Sequence, residues 1–250
     1  MLITAPGNIR PVVIVTTWEL TEMGIRVVSF DLGHTLLFPR YEWYQSIVAD
    51  AGAEVEESDL QKREAALRSW FDGMILDEGR KGMDDNLWEQ YFRRFFSGLG
   101  VKDDAIDTLL RRLYRKHLEG VGLWTVPAPG AEETLMALVD IGMKVACVSN
   151  NDGRLESMVE YQGWTGYFDV MVDSKAIRIA KPDPGIFEYA LDLLGLEADE
   201  MVHVGDYYSV DVIGARNAGV EGILYDPTGA YGSVDCRVIT ELREIVQLVS

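Results

Sequence analysis

The chain is poor in cysteine, histidine and basic charge, and it has no long apolar run. Only Cys147 and Cys236 carry thiols among 250 residues, too few for a disulfide framework. Cys147 lies among apolar residues, Val145-Ala146-Cys147-Val148, and buried reduced thiols are the default expectation. Of the three histidines, His117 and His203 show no metal-ligand spacing. Lysine and arginine number 23 against 41 acidic residues, a net charge of −18. Such a chain repels phosphodiester backbones and anionic lipid, because binding either needs clustered cations. Neither nucleic acid nor a membrane is therefore expected as a partner, whereas a small phosphorylated molecule remains compatible where a few local cations overcome the field. No stretch approaches the roughly 18 consecutive apolar residues of a membrane span. Residues Pro11 to Val15, after a single Arg10, are short for a signal core and lack a small-x-small cleavage site. A cytoplasmic protein, monomer or homodimer, is the expectation.

What the chain does have is 48% apolar residues, enough for a substantial core. Short apolar runs predict strands at Ile25 to Phe30, Lys144 to Val148, Phe168 to Val172, Met201 to Val204 and Gly222 to Tyr225. Helix-like segments separate most of them, the pattern of a parallel sheet covered on both faces. In Lys181-Pro182-Asp183-Pro184, Asp183 suits a helix cap and Pro184 the first helical position, with Gly195 as the stop. The predicted fold is α/β, a doubly wound parallel-sheet (Rossmann-like) core.

Residues 41–123 read differently. Leu60, Leu67, Trp70 and Phe71, then Leu87, Trp88, Tyr91, Phe92 and Phe95, then Ile106, Leu109, Leu110 and Leu113 recur at helical spacing with no convincing strand. The aromatics are read as the core of an all-helical insert placed directly after the first strand. The expected organisation is a core of residues 23–40 and 124–250, a helical cap of 41–123, and an extension of unclear role at 1–22.

In an open α/β sheet, ligands gather beyond the carboxyl ends of the strands. Asp31, Ser149-Asn150, Lys181, and Asp206 with Asp211 all fall at predicted strand ends or adjoining loops. Each alone is an ordinary turn or cap residue. Together they suit phosphoryl transfer, since a carboxylate is a competent nucleophile toward phosphorus. Converging aspartates call for a cation between them, and hard oxygen donors beside a phosphate favour magnesium. Ser149 and Asn150 are candidate donors to phosphoryl oxygens, and Lys181 a neutralising charge.

Phe30-Asp31-Leu32-Gly33-His34-Thr35-Leu36, Val148-Ser149-Asn150, Lys181-Pro182-Asp183-Pro184 and Gly205-Asp206-Tyr207-Tyr208-Ser209-Val210-Asp211 resemble the four ordered motifs of the haloacid dehalogenase superfamily. The helical insert matches that family's cap in position. The resemblance implies Asp31 as nucleophile, with Asp31, the Gly33 carbonyl and Asp206 holding Mg2+ and Asp211 supporting them. Thr35, Ser149 and Lys181 would handle the phosphoryl group.

One departure matters. The family's phosphatases usually carry a second aspartate, an acid and then a base, where this chain has Gly33, and a glycine where it has His34. A positioned acid/base is worth roughly 10²–10⁴ in rate. His34 is the candidate replacement, its alternative being a structural role facing the cap. Arg40, at the entry to the cap, is a candidate contact for a substrate anion. The leading expectation is a magnesium-dependent hydrolase of a small phosphorylated metabolite acting through an aspartyl-phosphate. The alternatives are a dehalogenase- or phosphonatase-type hydrolase, or a family member with weakened turnover that serves in binding or regulation.

Overall fold

The computed structural model of the chain describes residues 24–78 and 85–250. The expectation for residues 1–22 lies outside them. Six strands form one parallel sheet: β1 (Val27–Phe30), β4 (Lys144–Ser149), β5 (Val170–Asp173), β6 (Met201–Gly205), β7 (Glu221–Tyr225) and β8 (Arg237–Ile239). Their spatial order is β5-β4-β1-β6-β7-β8. The chain leaves β1 to one side for β4 and β5 and returns on the other for β6, so the switch point lies at β1. The doubly wound α/β expectation holds.

β1 is buried on both faces and divides its side chains by the period of two. Val28 and Phe30 join a core with the helices α5 (Ala131–Asp140) and α10 (Glu244–Val249). Val27 joins the opposite core with α8 (Gly185–Leu194) and the short α9 (Ile213–Asn217). The sheet is thus sandwiched between two apolar layers. The Asp183 carboxylate accepts the Gly185 N–H at 3.0 Å, the cap its sequence suggested.

Three strands escaped the sequence reading: β2 (Leu37–Pro39), its antiparallel partner β3 (Trp124–Pro127), and β8. Each has only three or four residues, too few to display an alternating pattern. The β2–β3 ribbon carries the chain out of the sheet and back, with helices α1 (Tyr41–Ala49), α2 (Glu57–Glu78), α3 (Asp85–Ser97) and α4 (Asp103–His117) between its strands. These helices pack on a core of their own, in which Tyr44, Phe92, Phe95 and Phe96 meet edge to face. Among the described residues no helix is long and apolar enough to cross a membrane.

Candidate active site

The sheet's carboxyl edge collects the charged residues. Asp31 follows β1, Ser149 ends β4, and Asp206 follows β6, each carried there by its strand. Lys181 is fully buried, and its ammonium donates to Asp31 Oδ1 at 2.7 Å, Asp211 Oδ1 at 2.6 Å and the Val148 carbonyl at 2.8 Å. Three acceptors satisfy its three protons, and the two carboxylates hold its pKa above the ordinary lysine value despite burial. Burial pushes the Asp31 carboxyl up, Lys181 pulls it back, and the neighbouring Asp211 charge adds to the rise.

Asp211 is held in place from several sides. It lies in a π-helical turn, Tyr208–Val212, and also accepts the Tyr207 N–H at 2.9 Å. Although buried, its pKa is lowered, by Lys181 and by His203. Gly205 makes the approach possible, since a Cβ there would sit 2.2 Å from the Asp211 carboxyl carbon. His203 is fully buried between Ser29 Oγ at 2.9 Å and Asp211 Oδ1 at 3.4 Å. Desolvation lowers its pKa to about 4, so it is neutral at pH 7.

Asp206 has a partner the sequence reading missed. Arg68, on α2, donates through Nη1 to the Asp206 carbonyl at 2.7 Å and to Oδ2 at 3.1 Å. Both side chains are buried, and burial drives the Asp206 pKa up while Arg68 opposes it. One turn before, Glu64 bonds to the Tyr41 hydroxyl; one turn after, Asp72 accepts the Ser209 N–H at 2.8 Å. Glu64, Arg68 and Asp72 therefore form a stripe at four-residue steps: Glu64 ties α2 to α1 within the helical module, and Arg68 and Asp72 dock that module on the carboxyl edge. A signal existed in the sequence: all three lie four, eight and twelve residues beyond Leu60, on the helix's apolar side.

Several expected site residues have other places. Asn150 was a candidate phosphate donor, but its side chain clamps Lys181, accepting its N–H at 2.8 Å and donating to its carbonyl at 2.9 Å. Arg40 does not line the cavity over Asp31; its guanidinium lies 5.4 Å from the Trp43 ring. Thr35 is fully buried below the cavity lining, its hydroxyl without a hydrogen bond. His34 reaches the cavity wall, yet desolvation, with Arg68 adding, lowers its pKa to about 3. A neutral imidazole at pH 7 has no imidazolium proton to give, which counts against His34 as the general acid. Its ring packs edge-on to Phe38 and Trp124, and its backbone sits at φ 56°, where a glycine is at ease.

Gly33 leaves space on that wall. A Cβ at this position meets only Trp124, at 3.7 Å, an ordinary contact. The cavity above Asp31 measures about 1090 Å³. Ser149, Asn150, Lys181, Asp206 and Asp211 lie at its floor, and Phe71, Trp88, Tyr91, Phe92 and Leu110 of the helical module line it from above. Arg93, Arg111, Arg154 and Lys175 also line it.

The donor set is compatible with magnesium. Carboxylates of Asp31 and Asp206 with a main-chain carbonyl are the hard oxygen ligands that ion takes, its remaining positions being filled by water or phosphate. Among the described residues, however, no cluster of three or more histidine, cysteine or acidic side chains is arranged to hold a metal. In this arrangement Lys181 pairs with Asp31 and Asp211, and Arg68 pairs with Asp206.

A charged crevice at the switch point of a doubly wound sheet, roofed by helices inserted after the first strand, defines a class of capped hydrolases. The haloacid dehalogenase-like hydrolase family model matches residues 25–219, and the chain belongs to that family. It is 33% identical over 210 residues to haloacid dehalogenase-like hydrolase domain-containing protein 3 of Danio rerio, covering 80% of this chain and 84% of that one. A solved HAD phosphatase from Thermococcus onnurineus is 25% identical with a TM-score of 0.57, covering 90% and 98%. The putative HAD-hydrolase YfnB from Bacillus subtilis, solved bound to magnesium, shares the fold at 16% identity and a TM-score of 0.64, with the same coverage.

Proposed function

We propose that this hydrolase is a magnesium-dependent phosphomonoesterase acting through Asp31. The observation that carries the reading is the Lys181 ammonium, 2.7 Å from Asp31 Oδ1 and 2.6 Å from Asp211 Oδ1 at the cavity floor. It opposes the burial that raises the Asp31 pKa and places positive charge where phosphoryl oxygens would arrive. The phosphatase-named structural relative supports the same reading.

In the proposed reaction a carboxylate oxygen of Asp31 attacks phosphorus. The bond to the ester oxygen breaks, and its electron pair departs on the leaving group. Ser149 donates to a phosphoryl oxygen, Lys181 supplies positive charge beside it, and Asn150 fixes Lys181 by its main chain. Water then cleaves the acyl phosphate, returning the Asp31 carboxylate and inorganic phosphate. Asp31, the Gly33 carbonyl and Asp206 would hold Mg2+, with Asp211 behind them, and the bound ion would neutralise charge on the phosphoryl group.

Gly33 and neutral His34 leave the leaving oxygen without an evident acid. Esters whose leaving groups depart as stable anions, such as aryl and acyl phosphates, are therefore the expected substrates. The cavity accommodates a leaving group much larger than phosphate. The same missing acid favours a second reading, a binding protein with little turnover. A phosphate-release screen with Mg2+ separates the two. Release from aryl or acyl phosphates, well above that from sugar and nucleoside monophosphates, is expected. No release from any of them would favour the binding protein.

A further inference from the structure

The carboxyl edge holds three aspartates and two buried side-chain cations. Lys181 belongs to the core and touches two of the aspartates. The other cation, Arg68, comes from the helical module and is spent on the third, Asp206, which it grips by both main chain and side chain. Asp206 is 2% exposed and Arg68 5%, so neither charge is relieved by solvent. An ionised carboxylate this deeply buried costs several kcal/mol without a cation, and Arg68 offsets that cost.

We infer that Arg68 is the cation magnesium must displace at Asp206. The proposal rests on the reading of Asp206 as a metal ligand. Arg68 is then a positioning residue: it holds Asp206 in place while no metal is bound, and it competes with the metal for the same carboxylate. Two features argue for competition over cooperation. A guanidinium and a divalent ion drawn to one carboxylate repel each other strongly in a buried site. The guanidinium is also not free to retreat without cost, since it lies 5.8 Å from the Tyr207 ring and its helix is anchored one turn later by Asp72 on the Ser209 N–H. Phe71, beside it on α2, packs on Tyr207 with ring centroids 4.4 Å apart.

Calorimetric titration of Mg2+ into the full chain tests this without any substrate. Arg68→Gln removes the charge and keeps donor atoms on the helix. It should bind Mg2+ about tenfold more tightly than the wild type, within the usual range of coupling between sites. Arg68→Lys, a compact point charge in place of the guanidinium whose Nη1 bonds both the Asp206 carbonyl and Oδ2, should fall between them. If Arg68→Gln does not fold, Arg68→Lys carries the comparison against the wild type alone. Affinity equal to or weaker than the wild type in the folded variant overturns the inference, as does an absence of Mg2+ binding in all three proteins. The fate of the phosphatase reading is separable. Phosphate release by the wild type with no gain in the variant sinks only the competition. A gain in affinity with no phosphate released from any ester sinks only the phosphatase.

Discussion

The floor and the roof of the cavity are built by different rules. On the floor, the sheet does the placing: Asp31, Ser149 and Asp206 follow or end buried parallel strands, and neighbouring side chains then fix Lys181 and Asp211. On the roof, helices bring an aromatic lining and one polar stripe, held to the core by Arg68 and Asp72. The floor's chemistry is thus tied to the fold, while the roof can vary its lining without disturbing the strands. Reaction type belongs to the first and selection among substrates to the second.

The largest effect that would sharpen this division is on the floor. Asp31→Asn should lower phosphate release on the order of 10⁴-fold or more, since no other group can take over the nucleophile's part. Its melting temperature should stay near that of the wild type, because the amide still accepts from Lys181. Substantial release by the variant would remove Asp31 from its assigned role.

Lys181→Met should be next. It leaves Asp31 and Asp211 buried without their common cation, and breaking such a pair costs about 3–5 kcal/mol. Phe95→Ala, in the helical module's core, should cost a similar ~3–5 kcal/mol through the cavity it opens. Chemical denaturation measures both. The comparison breaks if Lys181→Met is as stable as the wild type.

The roof stripe makes a prediction about pH. Burial raises the Glu64 pKa from 4.5 to about 7, with Tyr41 and Arg68 opposing. The folded chain therefore holds a proton on Glu64 that the unfolded chain has lost. This contribution is intact below about pH 4.5 and disappears as pH rises through 7, a change of about 3 kcal/mol at most. His34 acts in the opposite direction at lower pH: its folded pKa of about 3 means stability is lost as pH falls below 6.5. With both groups neutral between their pKa values, their 3.8 Å approach is no ion pair near pH 5. Between pH 4.5 and 6.5 the two contributions oppose each other, so Glu64→Gln should leave stability curves that rise with pH there. An unchanged slope would show that the stripe does not carry the buried proton.

Where floor and roof meet, Gly33→Asp should give the smallest effect. The new side chain has room beside Trp124, and it supplies the missing acid. The preference for aryl over alkyl phosphates should narrow about 10²-fold. A preference that stays as wide would mean that proton transfer is not what Gly33 limits.

The same contrast explains what the sequence revealed. Asp31, Ser149 and Asp206 were legible because a parallel strand ends where its apolar run ends, while Lys181 and Asp211 were legible through the loop motifs that carry them. The helices from Tyr41 to His117 were legible by their spacing. Arg68 was not, because a charge within a helix reads as solvated until a partner 138 residues away is seen. Asn150 and Arg40 were misplaced for a related reason. A polar residue near a motif has several possible partners, and only the fold chose the Lys181 backbone for one and the Trp43 ring for the other. The strands β2, β3 and β8 were too short to show a period.

The central claim is that Asp31 carries the phosphoryl group. With no acid/base at Gly33, hydrolysis of the acyl phosphate should be slow as well as its formation, so the intermediate should accumulate on a reactive aryl phosphate. The direct measurement is an acid quench of the protein during turnover with Mg2+ and an aryl phosphate, followed by peptide mass spectrometry. The account predicts a mass gain of one phosphoryl group on the peptide containing Asp31, absent from Asp31→Asn. Steady phosphate release with no adduct on Asp31, or with the adduct on another residue, would contradict it.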